Sequence, residues 1–260
     1  MEIIVISIVA GICGTGLGGL LTVLLGSRSD QMISVFLSFA GGVMTSIVFF
    51  ELIPEAKELS NTTITVVGLF LGIIVVLILN YILDRISNAG DKKAALHETY
   101  EDFYHGKEVI TSKAKMLRSG MLMLVAIGLH SLPEGLALGA AGGHDVSLGL
   151  KLAFMIGVHN VPEGMAIAAP FTSGGVSKGK VVVLTLLAGV PTVIGAVIGV
   201  LLGSISDTTV ALAFSIAGGA MLYVVYGEVL PQSMMMSKNR IPTITSLVGI
   251  VFGLVLTKIA

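Results

Sequence analysis

The chain is built from apolar runs roughly 20 residues long, separated by polar breaks. At about 1.5 Å rise per residue, that is the length an α-helix needs to cross a bilayer. Eight such runs lie near residues 3–25, 33–54, 64–83, 121–141, 148–171, 181–202, 210–230 and 241–256. Charged residues make up 12 % of the chain, against about a quarter in a soluble domain. That composition argues against a soluble globular enzyme, and 260 residues fit one all-α membrane domain. The first run is too long for a signal peptide and begins with Glu2 where a basic segment belongs. It also carries Gly14 and Gly18 at the GxxxG spacing that admits a close neighbour. The net charge of −1 leaves no basic surface for nucleic acid. A single cysteine, Cys13, excludes an internal disulfide and a CxxC site.

Lysine and arginine sort the loops. Twelve fall in the turns after runs one, three, five and seven, whereas the other side holds only Lys57, Lys151 and Lys258. Basic loops stay cytoplasmic, so both termini are expected to face outward from a multi-pass protein of the cell membrane. The one extended polar insert, residues 84–118, falls on the cytoplasmic side between helices three and four. It contains His97 and His105 among carboxylates. That composition suits a loosely held metal, and a solvated, partly helical linker is the plainer reading.

Two internal similarities organise the rest. Ala40-Gly41-Gly42-Val43-Met44 returns as Ala217-Gly218-Gly219-Ala220-Met221, and at the same offset Glu51-Leu52-Ile53-Pro54 returns as Glu228-Val229-Leu230-Pro231. Runs two and seven cross in opposite senses, the pattern of an inverted repeat. The second similarity joins neighbours: His130-Ser131-Leu132-Pro133-Glu134-Gly135 matches His159-Asn160-Val161-Pro162-Glu163-Gly164. The chain reads as three helices, a central pair and three more. Transported substrates bind where such halves meet.

In each central motif His and Glu are four residues apart, so both side chains share one helix face. Proline has no N–H and crowds the carbonyl four residues back. The glycines after the acids leave room for another helix or an ion. Two such faces offer imidazoles and carboxylates, a ligand set for a divalent metal. An acidic residue at a helix centre costs roughly 2.5–3.5 kcal/mol by insertion scales. Glu51, Glu134, Glu163 and Glu228 all lie in or near the ends of apolar runs that carry lysine or arginine only near their ends. A transient cation is the natural counter-charge. Glu51 and Glu228 also sit just before prolines that are expected to end their helices, and Met44 and Met221 suit gap-filling better than ligation.

At these residues the sequence resembles the ZIP (Zrt/Irt-like) divalent metal-ion transporters, in particular the prokaryotic GufA and zinc-uptake branch. The resemblance covers nearly the whole chain. It implies an eight-helix membrane fold in which helices two, four, five and seven surround a metal path worked by alternating access. By position, His130, Glu134, His159 and Glu163 correspond to the primary metal site. Ser131 and Asn160 stand where relatives often place Asn or Asp for a second, adjacent ion, and Glu51 and Glu228 match path-lining positions. The expected function is transport of zinc, with iron(II), manganese, cobalt and cadmium also suited to the ligands, into the cytoplasm. No cofactor is required beyond the transported ion, and the partners are that ion and the lipid bilayer; association as a homodimer stays open. An intramembrane zinc hydrolase is the first alternative, but HExxH is missing from the sequence. A metal-gated receptor or structural membrane protein, in which the ion binds but never crosses, is the second, and export through the same ligands is the third.

Overall fold

In a computed structural model the described residues are 2–25, 30–88, 113–203, 206–237 and 239–259. Their regular structure is helical throughout. We number the helices α1 (Glu2–Leu25), α2 (30–59), α3 (Thr62–Asn88), α4 (Lys113–His144), α5 (Val146–Ser173), α6 (178–203), α7 (Asp207–Met236) and α8 (Ile241–Ile259). Among the described residues six of them, α1, α2, α5, α6, α7 and α8, contain stretches long and apolar enough to cross a membrane. The architecture is that of an all-α membrane protein.

Side-chain oxygens restart the helices at the short turns. Asp145 alone separates α4 from α5, and its carboxylate accepts the Ser147 N–H at 2.8 Å. Asn61 accepts the Ile64 N–H at 3.0 Å, Ser206 that of Thr209 at 3.2 Å and Asn239 that of Ile241 at 2.9 Å. Each satisfies a donor that a helix N-terminus would otherwise leave unpaired.

The solvent logic is the reverse of a soluble protein. Phe70, Ile74 and Ile78 of α3 and Leu247, Val251 and Val255 of α8 are exposed, whereas Ser34, Thr45, Thr185, Ser215 and Ser233 are buried. Lipid accepts the apolar exterior without cost. Many of the interior hydroxyls are satisfied locally: Thr45 donates to the Gly41 carbonyl at 2.8 Å and Ser215 to that of Ala211 at 2.7 Å.

Small residues let the helices meet backbone to backbone. α1 packs on α5, α6 on α4, α2 on α8 and α7 on α3. A Cβ added at Gly18 would lie 2.1 Å from the Val161 oxygen, and one at Gly195, its repeat-related position, 2.2 Å from the Leu132 oxygen. Likewise Gly42 abuts the Ser246 carbonyl and Gly219 that of Leu69, again a pair related by the repeat. In the middle α4 packs on α5, α5 on α2, α2 on α7 and α7 on α4, a closed ring.

Two expectations about helix ends need correcting. α2 and α7 do not stop near Pro54 and Pro231 but continue to Leu59 and Met236. The cause is a π turn before each proline, Val48–Leu52 and Val225–Val229. There the Ile53 N–H reaches back to the Val48 carbonyl and the Leu230 N–H to that of Val225. The extra residue shifts the hydrogen-bond register, so the missing proline N–H falls where the ladder is already displaced. α4 and α5 also remain helical through Pro133 and Pro162. The polar insert is shorter than expected at both ends, because α3 runs to Asn88 and α4 begins at Lys113. His97 and His105 lie outside the described residues.

Candidate metal centre

α5 carries His159 and Glu163 one turn apart, and α4, packed against it, carries Glu134. All three are fully buried, at 2 % exposure or less. His159 Nε2 lies 3.1 Å from Glu134 Oε1 and 3.8 Å from Glu163 Oε1. One ligand atom from each residue falls within 4.8 Å of the others. Zinc bonds of about 2.1 Å in tetrahedral geometry put neighbouring ligand atoms ~3.4 Å apart, and the two measured separations bracket that figure. The separations from the imidazole to both acids are thus of the size that ligands of one ion require.

The imidazole is oriented for this role. Its Nδ1 lies 3.0 Å from the Met155 carbonyl, one turn back. A carbonyl only accepts, so Nδ1 carries a proton and donates it. Nε2 in turn shares a hydrogen bond with Glu134 Oε1, and an ion bound there would replace the proton between them, with Glu163 alongside. A bond like that of Nδ1 is the usual way a metal-binding histidine is held.

The motif glycines next to the acids have a packing role. A Cβ on Gly164 would lie 1.9 Å from the Thr15 carbonyl, and one on Gly135 1.9 Å from that of Thr192. Only glycine lets α1 and α6 close in behind the two acids.

The remaining sequence-derived residues spread over a wider region. His130 lies in α4 one turn before Glu134, and its side chain is outside the described residues. Ser131 is buried, with its hydroxyl donating to the Ile127 carbonyl at 2.7 Å. Asn160 is buried beside α1, where its Nδ2 donates to the Ala10 carbonyl at 3.0 Å. Its Oδ1 is buried too and has no hydrogen-bond partner among the described residues. Glu228 is half-buried in the π turn of α7. Glu51, in the matching π turn of α2, is 3 % exposed. Met44 and Met221 are buried in the apolar core.

A narrow apolar cleft, too tight to admit a water molecule, adjoins Glu163 and is lined also by Leu37, Ala40, Met44, Ile127, Ala166 and Val229. It points to the end of the bundle opposite the chain termini. On the terminal side of the centre the space is filled by Ile47, Leu52, Met155 and Phe214, all buried.

One charged group escaped sequence reasoning. Lys151 Nζ lies 3.0 Å from Glu51 Oε1, so Glu51 has a positive side chain beside it, contrary to expectation. Glu51 sits eight residues before the end of α2 and Lys151 five after the start of α5. That matched depth at one end of two neighbouring helices was the available signal.

Comparison with known proteins agrees over the whole chain. The family described as ZIP Zinc transporter matches residues 1–259. A zinc transporter ZupT of Akkermansia muciniphila is 29 % identical over 269 residues, covering 100 % of this chain and 96 % of the relative. One from Chlorobaculum parvum is 32 % identical over 87 % of this chain and 85 % of its own length. One from Streptococcus mutans is 27 % identical over 98 % and 95 %. With its membrane-length apolar helices and a buried His/Glu centre, the chain belongs to the ZIP zinc transporter family, and is a multi-pass membrane transporter of metal ions rather than an enzyme.

Proposed function

We propose that the protein moves divalent metal ions, zinc foremost, across the cell membrane into the cytoplasm by alternating access through the centre between α4 and α5. The observation that carries this reading is the convergence of Glu134 and Glu163 on the Nε2 side of His159, deep in the ring of α2, α4, α5 and α7. His130, one turn from Glu134, completes the primary ligand set. Ser131 and Asn160 flank it as positions for a second ion, with the Asn160 Oδ1 as the better donor. Glu51 and Glu228 line the path on either side.

All eight helices cross the bilayer as a single domain, arranged as three, two and three, with the residue 84–118 region in the cytoplasm. Two observations support that arrangement. The close contacts of Gly18 and Gly195, and of Gly42 and Gly219, recur at the repeat offset. The surplus of Lys and Arg on one side favours both termini outside. In this orientation the cleft beside Glu163 lies on the cytoplasmic side, and the apolar filling around Phe214 lies toward the exterior.

The ligand chemistry suits turnover. Neutral imidazole and ionised carboxylates hold zinc; iron(II), manganese, cobalt and cadmium are accepted by the same groups. Protons compete for all of these ligands, so affinity falls as pH falls. Purified protein in liposomes loaded with a metal-sensitive dye tests the reading. Wild type is expected to pass zinc, and His159→Ala and Glu163→Ala to fall to the leak of protein-free liposomes. Wild-type rates in both variants would overturn the site.

A further inference from the structure

Glu51 is a carboxylate with 3 % exposure, set in a π turn on the terminal side of the metal centre. Lys151 reaches it from α5 with Nζ 3.0 Å from Oε1, while the lysine side chain itself stays 29 % exposed. The two groups therefore join the exposed rim to the buried path. Lys151 precedes His159 by eight residues on the same helix, which places it ~12 Å along the axis from the imidazole. Between them lies the apolar filling of Ile47, Met155 and Phe214.

The internal repeat sharpens the meaning of this lysine. Glu51 has its counterpart in Glu228. The register that sets His159 against His130, carried back along both helices, sets Lys151 against Leu122 of α4. The repeat-related position of α4 is apolar, so the repeat by itself does not account for a lysine at position 151. A dication bound by the Glu51 carboxylate would bring two like charges within a few ångströms in a poorly screened site. Ammonium and metal therefore exclude one another.

We propose that Lys151 is a tethered counter-cation for Glu51, holding that carboxylate while the terminal end is closed and exchanging with each divalent ion that passes. Lys151 is thus a specificity-determining residue for transport: it sets the concentration at which ions win access to Glu51 and then helps drive them onward. The proposal rests on the transport reading above, and its test separates the two.

In zinc-flux liposomes Lys151→Met, which keeps the length but not the charge, is expected to lower the apparent KM about threefold to tenfold and to lower the maximal rate as well. The competitor is gone, and nothing displaces the ion from Glu51. Lys151→Arg restores wild-type KM, and in a Glu51→Gln background Lys151→Met leaves KM unchanged. A Lys151→Met KM equal to or above wild type, or an arginine variant that behaves like the methionine one, overturns the proposal. A second measurement uses the unaltered protein and does not depend on the folding of variants. Zinc is expected to raise labelling of Lys151 by an amine-selective reagent at least threefold, read by peptide mass spectrometry against Lys57. Unchanged or reduced labelling overturns the exchange. Absence of wild-type flux would defeat the transport reading instead, while the labelling still reports on Lys151.

Discussion

The two ends of the bundle share a backbone plan and close by different chemistry. At the end holding the chain termini, Ala56 and Ala211 are fully buried where α2 and α7 pack together. Glu51 and Lys151 form their ion pair at the same end. The offset that carries Glu51 to Glu228 also carries Ala56 to Ser233 and Ser34 to Ala211. At the opposite end those two serines clasp each other: Ser34 Oγ and Ser233 Oγ each lie 2.8 Å from the other residue's carbonyl and 3.1 Å from one another. Ser38 and Thr245 add a second hydroxyl contact nearby. One end is thus held by apolar contact and opposite charges, the other by neutral hydroxyls worth about 1 kcal/mol per bond. A symmetric scaffold alone would give both ends the same stability. Here the side chains at these repeat-related positions make the two ends unequal.

The shared backbone is the first part of this comparison to break. Gly164→Ala and Gly135→Ala each drive a Cβ to 1.9 Å from a carbonyl of α1 or α6, and backbone cannot give way as a flexible side chain can. Each is expected to cost about 3 kcal/mol or more through overpacking, with loss of the monodisperse peak on size-exclusion chromatography. If one alone is tolerated, the two halves are not packed alike.

Next in size is the stabilisation by zinc at the centre that both halves share. At a hundredfold excess over Kd, a ligand of the folded state adds about 2.7 kcal/mol. Zinc is expected to raise the Tm of the detergent-solubilised wild type and to leave that of Glu163→Ala unmoved. The shift should shrink as pH falls, because protons compete for imidazole and carboxylate. A chelator should reverse it.

The smallest effect concerns the hydroxyl clasp. A double-mutant cycle on Ser34→Ala and Ser233→Ala is expected to give a coupling of about 1 kcal/mol by thermal or denaturant unfolding. The double variant makes this end resemble the alanine-lined one. A cysteine at position 37 should then label at a changed rate, whereas one at position 52 should not. Equal changes at both positions would mean that the ends open as a unit.

Much of the candidate site is legible in the order of residues. Glu134, His159 and Glu163 stand out because an acid or imidazole inside an apolar run needs a partner, and because HxxPEG occurs twice. The prolines mislead at the ends of α2 and α7, since a π turn absorbs the missing N–H and the helix goes on. Lys151 is hidden for another reason. It lies three helices further along the chain than Glu51, and no local pattern tells which side chains on two helices meet. The same holds for Asn160, whose amide bonds the Ala10 carbonyl at the far end of the sequence, on α1.

What the sequence by itself determined is the class of solvent, the helical architecture and the ionisable groups that a membrane interior would not hold without purpose. These follow from hydrophobicity, proline and charge, which act along the chain within one or two helical turns. Tertiary structure alone decided which groups converge: two carboxylates on one imidazole, and an ammonium on Glu51. It also decided that the repeated ends close differently, because contacts between helices depend on how far glycine lets their backbones approach.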